Sequence, residues 1–404
     1  MTSGPGGQGA TVGATLEFVF NGRTVRGIEG DTIATALARN RVNVFSRSMK
    51  FHRPRGLYCG SGRCISCVMR VNGVPGVRTC TVPLERGMDV RTERGFPSTR
   101  FDFLSVLDSV FRHEFEYQSR FIRPSFMTPL YQRLVRALAS SSRLPDSPGT
   151  FPPIVRKSCE MLIIGRGISG SVAHARLQKS GARSVMVADR LVGDVGSPPS
   201  TAFGFYESGE VGVQVGRGVQ LVKARAILLA TGRYETGLMI PNGDMPGNLL
   251  PEAVRQLSSR GIRPGTTAVL VGDNELRDRV RRQLEAVGTS IVAELPDPSS
   301  VIRVNGRNWV SGIEIREGEG SRDLRCDVVV HLGPLVPAID LARQAGCVLE
   351  SSSGLMFVRA DADGHTSVPG IFACGGVAGV VSEAERISSG ERAAVSILNS
   401  RGGI

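Results

Sequence analysis

Apolar and polar side chains alternate through residues 15–20, TLEFVF, and again through 23–28, RTVRGI, with Asn21-Gly22 between them. Alternation with period two around an Asn-Gly pair predicts a β-hairpin. The pattern then changes to helical spacing in TIATALARN, for which Asp31 is the expected N-cap. CVMRVNGV and GVRTCTVPL read as a second strand pair, with Cys80 on the returning strand, and GMDVRT as a last strand. Over 14–95 this order predicts an α+β domain of the β-grasp, ferredoxin-like class. Residues 96–150 are Phe-rich with helical spacing and close on a Pro/Ser-rich stretch, so a helical connector is expected there. EMLIIGRGISGSVAHARLQKSGARSVMVADR, from 160 onward, is strand, glycine turn, helix and strand. TTAVLVGDNELRDRVRRQLEAVGTSIVAEL repeats that order. The second part of the chain is therefore α/β, with two dinucleotide-binding (Rossmann-like) units, the second inserted in the first. We expect an adenine-nucleotide domain over 151–245 and 350–404, and an inserted NAD-type domain over 246–349.

Composition bounds the class. The 404 residues are 41% hydrophobic and 21% charged, as in a folded globular chain. No run approaches the roughly 18 apolar residues of a membrane span, and the Gly-rich start lacks the features of a secretory signal, so a cytoplasmic location is expected. The net charge of +12 is uneven: residues 1–150 hold 21 Lys/Arg and 11 Asp/Glu, leaving 28 against 26 for the rest. An acidic partner protein or a phosphate-bearing cofactor fits that half. Nucleic acid does not, because aromatic residues are 5% and no nucleic-acid module is visible.

Four of the eight cysteines, Cys59, Cys64, Cys67 and Cys80, fall within 22 residues with the spacing C-x4-C-x2-C-x12-C. The first three match plant-type [2Fe–2S] spacing. Such a cluster needs four converging thiolates and a loop able to curl around it, for which Gly56, Gly60 and Gly62 are suited. The competing reading is a zinc site or four unrelated thiols. Zinc prefers paired C-x2-C knuckles, and Cys64–Cys67 is the one such pair here. The basic stretch RSMKFHRPRG before Cys59, with Lys50, His52, Arg53 and Arg55, is either a solvated loop or a contact to an acidic partner or flavin phosphate. Cys374 and the remaining histidines read as packed side chains.

Gly165, Gly167 and Gly170 form G-x-G-x-x-G between strand and helix, and Asp189 ends the next strand, where an adenosine ribose would be met. The helix N-terminus would receive a pyrophosphate. In the second unit Gly272 is followed by Asp273, Asn274 and Glu275; two glycines are missing and two acids would repel a pyrophosphate.

LEFVFNGRTVRGIEGDTIATALARNRVNVFSRSMKFHRPRGLYC resembles the start of the alpha subunit of heteromeric sarcosine oxidase. The cysteine loop is similar to those of opine oxidases, hydrogen cyanide synthase and dye-linked proline dehydrogenases. FEYQSRFIRPSF, ATGRYE with IPNGDMPGNLL, and TSVPGIFACGGVAG follow in that family's order. The resemblance implies that Thr231, Gly232 and Gly375 line a flavin or adenine-nucleotide site. It implies secondary-amine oxidation on a separate FAD-dependent beta-type subunit. This chain would then be an electron conduit with a [2Fe–2S] cluster and FAD, with an FMN at a subunit interface as a further expectation. The family has Gly-Asp where this chain has Gly375-Gly376, and that Asp holds the flavin ribityl chain. An adenine nucleotide such as ATP or ADP is therefore an alternative occupant. A self-sufficient NAD(P)H:acceptor reductase and a scaffold without flavin chemistry are the competing functions.

Overall fold

The computed structural model describes residues 13–48, 52–93, 95, 98–99, 101–102, 153–182, 184–187, 200–216 and 218–400. Most of the expected connector at 96–150 lies outside them, as do Asp189 and Lys50. The described residues fall into two compact units. One holds those up to 102 together with 237–333, and the other holds 153–236 with 334–400.

The first unit starts with β1 (Thr15–Phe20) and β2 (Arg23–Ile28), paired antiparallel around Asn21 and Gly22, both at positive φ as a type I′ turn requires. Next is α1 (Ile33–Arg39), whose N-cap is Thr32 and not the expected Asp31. The Thr35 N–H donates to Thr32 Oγ1 at 3.1 Å and the Thr32 N–H donates to Thr35 Oγ1 at 2.8 Å, a buried capping box. The Asp31 carboxylate, fully buried, instead accepts from the Ile28 N–H and from the Arg39 guanidinium. Removing the Thr32 hydroxyl leaves the buried Thr35 N–H unpaired, so Thr32→Ala is expected to lower stability by about 1–2 kcal/mol in a denaturant titration. An unmoved midpoint would show that the box contributes nothing.

The short pair β3 (Ser46–Arg47) and β4 (Pro54–Arg55) precedes the cysteine loop. β5 (Val68–Val71), β6 (Val74–Arg78) and β7 (Asp89–Arg91) complete a sheet of order β2-β1-β7-β5-β6, with β7 parallel to β1. β6 ends at Arg78, so Cys80 sits in the turn beyond the strand and not on it.

The second unit opens with β8 (Val155–Ile164), α2 (Ile168–Lys179) and β9 (Ser184–Val187). β10 (Ser200–Phe205), β11 (Glu210–Val215) and the long β12 (Gly218–Leu229) follow. β12 runs parallel to β8, which runs parallel to β9. β13 (Arg233–Glu235) carries the chain out of this unit.

The inserted segment contains β14 (Asn248–Leu249), α3 (Pro251–Ser258), β15 (Thr267–Gly272), α4 (Arg277–Ala286) and β16 (Ser290–Leu295). A meander of β17 (Val301–Gly306), β18 (Val310–Glu317) and β19 (Gly320–Leu324) precedes β20 (Val328–Leu332). The parallel sheet has order β14-β20-β15-β16. β21 (Leu335–Pro337) pairs with β13 and returns the chain to the second unit. α5 (Asp340–Gln344), the hairpin β22 (Leu349–Ser352) with β23 (Leu355–Val358), β24 (Ile371–Ala373) and α6 (Glu383–Asn399) end the fold. β24 lies parallel to β12.

The insertion is not a separate body, as a domain at 246–349 would be. Phe18, Ile33, Leu37 and Met69 from the first segment share one hydrophobic core with Leu249, Ala253, Leu257 and Leu270 from the insertion. Each fully buried Leu or Ile contributes about 1.5–3 kcal/mol, so the two segments stabilise each other.

Candidate cofactor sites

The β5–β6 hairpin builds one side of the cysteine site. Val68 pairs with Arg78, which sets Cys67 just before the hairpin beside Cys80 just after it. The Thr79 N–H and hydroxyl both donate to the Cys67 carbonyl, at 3.3 and 2.7 Å, and fix that juxtaposition. The loop from 56 to 66 supplies Cys59 and Cys64. It curls tightly enough for the Cys64 N–H to donate to Cys59 Sγ at 3.4 Å. Gly60 has φ +67°, and a Cβ there would lie 2.8 Å from backbone atoms of Ala253 on α3. Cys59, Cys67 and Cys80 are buried and Cys64 is half-buried.

The four thiols lie close enough to share protons. Hydrogen bonding from Cys64 and Cys80 holds Cys59 below the ordinary thiol range, and Cys80 does the same for Cys67. Cys64 and Cys80, the donors, are held above it. Among the described residues no three His, Cys, Asp or Glu side chains surround a single point where one metal ion could sit. A [2Fe–2S] cluster asks for a different arrangement, two thiolates on each of two irons. Three buried cysteines and a half-buried fourth, gathered by a glycine-bearing loop and the adjoining hairpin ends with an N–H donated to sulfur, fit that group.

Tyr58, next to Cys59, is held by the insertion. Its carbonyl accepts from the Leu250 N–H at 2.9 Å, and its ring meets the His331 ring edge-on at 5.8 Å. Burial pushes the Tyr58 hydroxyl up to about 12. His331 is fully buried, and burial pushes it down to about 4, so it is neutral. Its Nδ1 accepts from the Leu238 N–H, which leaves Nε2 to donate to Asn248 Oδ1 at 2.9 Å. His331 is thus a packed histidine without a metal role.

The basic loop is less available than its sequence implies. His52 is 4% exposed and its Nδ1 bonds Asp102 Oδ2 at 2.7 Å. Arg55 pairs with the Asp244 carboxylate and donates to the Asp244 carbonyl at 3.1 Å. Both are committed inside the unit, which removes them from a partner-binding surface.

In the second unit the three glycines play three different physical parts. Gly165 has φ +115°, and a Cβ there would stand 2.1 Å from the Ala230 carbonyl oxygen, so the turn closes against β12. A Cβ on Gly170 would stand 2.1 Å from the Gly165 carbonyl oxygen, so α2 packs on its own turn. A Cβ on Gly167 would meet nothing within 4 Å. Gly167 is the N-cap of α2, and that open space lies where backbone N–H groups and the helix dipole favour an anion. Thr231 Oγ1 donates to the Ala338 carbonyl at 2.8 Å, and Gly232 has φ +70°. Gly375 starts a short 3-10 turn after β24, and its N–H donates to Ser389 Oγ at 3.2 Å. A Cβ on Gly375 would stand 2.3 Å from Ser169 Oγ at the start of α2, so the two glycine turns adjoin. Asp189, the expected ribose contact, lies outside the described residues.

The second glycine turn is filled by its own side chains. Arg277 donates to the Gly272 carbonyl at 3.0 Å and pairs with Asp273 at 3.1 Å. Asn274 Nδ2 donates to the Gly333 carbonyl at 2.7 Å, and its Oδ1 accepts from the Leu276 N–H. Side chains stand where an open cradle needs bare backbone.

Residues 13–95 match the 2Fe-2S iron-sulfur cluster binding domain family. The chain is 27% identical over 462 residues to sarcosine oxidase subunit alpha of Rhizobium meliloti (strain 1021), covering 96% of this chain and 46% of that protein. It is 32% identical over 90 residues to hydrogen cyanide synthase subunit HcnA of Pseudomonas aeruginosa, covering 22% of this chain and 81% of that subunit. L-proline dehydrogenase from P. horikoshii has the same fold, with TM-score 0.70 and 18% identity over 96% of this chain and 74% of that one. The chain spans about half the length of the curated relatives it matches over most of its own length. Among the described residues no helix is long and apolar enough to cross a membrane.

Proposed function

We propose, from the premise that this chain is an oxidoreductase subunit belonging to the family of sarcosine oxidase alpha subunits, opine oxidase subunits and their [2Fe–2S] relatives, that it conducts electrons within a heteromeric amine or amino-acid dehydrogenase or oxidase. The observation that carries the reading is the gathering of Cys59 and Cys64, from the glycine loop, with Cys67 and Cys80, from the ends of the β5–β6 hairpin, in the iron–sulfur domain. In this proposal the four thiolates ligate one [2Fe–2S] cluster, which passes electrons singly. The turn of Gly165, Gly167 and Gly170, with Asp189, Thr231, Gly232 and Gly375, binds the ADP part of FAD or a free adenine nucleotide. Gly167 leaves room for the pyrophosphate, and the α2 N-terminus offers it N–H donors.

A secondary amine of the sarcosine, proline or opine class is the substrate of the assembly, oxidised on an FAD-dependent beta-type partner. The reductase alternative is disfavoured by the Arg277 and Asn274 side chains that fill the second turn. The purified chain is expected to contain iron and to reduce no dye with sarcosine, proline or an opine until a beta-type subunit is added. Amine-dependent dye reduction by the single chain, at a rate comparable with the assembly, would refute the subunit reading.

A further inference from the structure

One side chain of the insertion reaches into the cysteine loop. Gln256, on α3, is 6% exposed. Its Nε2 donates to the Gly60 carbonyl at 2.5 Å and to the Cys80 carbonyl at 3.2 Å. Gly60 follows one cysteine of the motif, and Cys80 is another. Both acceptors are carbonyls, so only the NH2 end of the amide can face them, and its orientation is settled by chemistry. Gln256 Oε1 is buried without a partner among the described residues. The side chain thus keeps an unpaired acceptor in order to make these two contacts.

The contact has a consequence at sulfur. A trans peptide unit points its C=O and N–H in opposite directions. Holding the Gly60 carbonyl against α3 therefore turns the Ser61 N–H away from α3. On that side stands Cys59 Sγ, which accepts from the Cys64 N–H at 3.4 Å and whose thiol the Ser61 backbone helps to hold below the ordinary range. Gly60 can take part because it has φ +67° and no Cβ to strike Ala253.

We propose that Gln256 is a positioning residue for the iron–sulfur centre, holding the Gly60–Ser61 peptide so that the Ser61 N–H points at the Cys59 sulfur and raises the reduction potential. The inference rests on the cluster reading made above. An N–H bond to a thiolate ligand favours the more negative, reduced state, so its loss lowers the potential. The inserted segment thereby helps to hold the cysteine loop in shape.

The test uses the full chain with Gln256→Met and Gln256→Glu. Met keeps the length of the side chain and removes both donors. It also removes the unpaired Oε1, which favours survival of the fold. Glu keeps the shape but sets a carboxylate against two carbonyls. Potentiometric titration followed by electron paramagnetic resonance reads the outcome, with circular dichroism as the check on folding. In the Met variant the oxidised-to-reduced ratio at the wild-type midpoint is expected to rise about tenfold, a fall of about 59 mV for a one-electron couple. The Glu variant falls further, and both change the resonance line shape. An unchanged midpoint in a folded, iron-replete Met variant overturns the proposal and leaves Gln256 as a docking contact. If Met does not fold, an unchanged midpoint in the Glu variant has the same force. A wild-type chain that binds no iron overturns the cluster reading and this proposal together, whereas wild-type iron with unshifted variants overturns this one alone.

Discussion

Replacing Cys67 by alanine is expected to give a folded chain that holds almost no iron. Cys67 is 1% exposed, and its backbone is fixed by two donations from Thr79, so the sulfur is removed without releasing the loop. A [2Fe–2S] centre needs two thiolates on each iron, and water cannot readily replace one at so desolvated a position. Iron should fall from about two per chain to below about 0.2, with loss of visible absorption. The fold should pay only the small cost of a buried cavity. Cys374→Ala is the matched control. That thiol is 1% exposed, burial pushes it up to about 12, and it lies in the core of the other unit. Iron in Cys374→Ala should equal wild type. Equal iron in Cys67→Ala would remove Cys67 from the ligand set.

Gly167→Val and Gly170→Val are expected to fail in opposite ways. A Cβ at 167 meets no atom, so valine is accommodated and the melting temperature changes little. The methyl groups would stand in the opening before α2, where the pyrophosphate has to approach the backbone. Adenine-nucleotide affinity should drop by at least about 100-fold, a difference of about 2.7 kcal/mol by calorimetry. A Cβ at 170, on α2, would strike the Gly165 carbonyl oxygen at 2.1 Å, and the Gly165 turn is itself closed against Ala230 just past β12. Gly170→Val should cost more than about 4 kcal/mol, seen as loss of the folded second unit. Full nucleotide content in Gly167→Val would place the ligand elsewhere.

The glycine turn was legible because its chemistry is local. Strand, G-x-G-x-x-G and helix lie within 160–179, and the roles of the three glycines follow from the backbone they sit on. The hairpin at Asn21-Gly22 was legible for the same reason. The cap of α1 was not. Asp31 and Thr32 are both good caps, and the choice went to Thr32 because Arg39 and the Ile28 N–H claim the Asp31 carboxylate. His52 and Arg55 read as a basic surface until Asp102 and Asp244 were placed beside them.

Four cysteines with C-x4-C-x2-C-x12-C spacing, and a glycine turn between strand and helix, are determined by sequence alone, because each is a set of neighbours along one short stretch. That Gln256 grips Gly60 across 196 positions of chain, and that Leu249 and Leu257 share a core with Phe18 and Met69, only the tertiary structure decided. Nothing in the periodicity of α3 distinguishes the face that meets a cysteine loop from one that meets a helix. The hydrophobic effect that buries it is non-directional, and the partner is selected by complementarity between surfaces that exist only once both segments have folded.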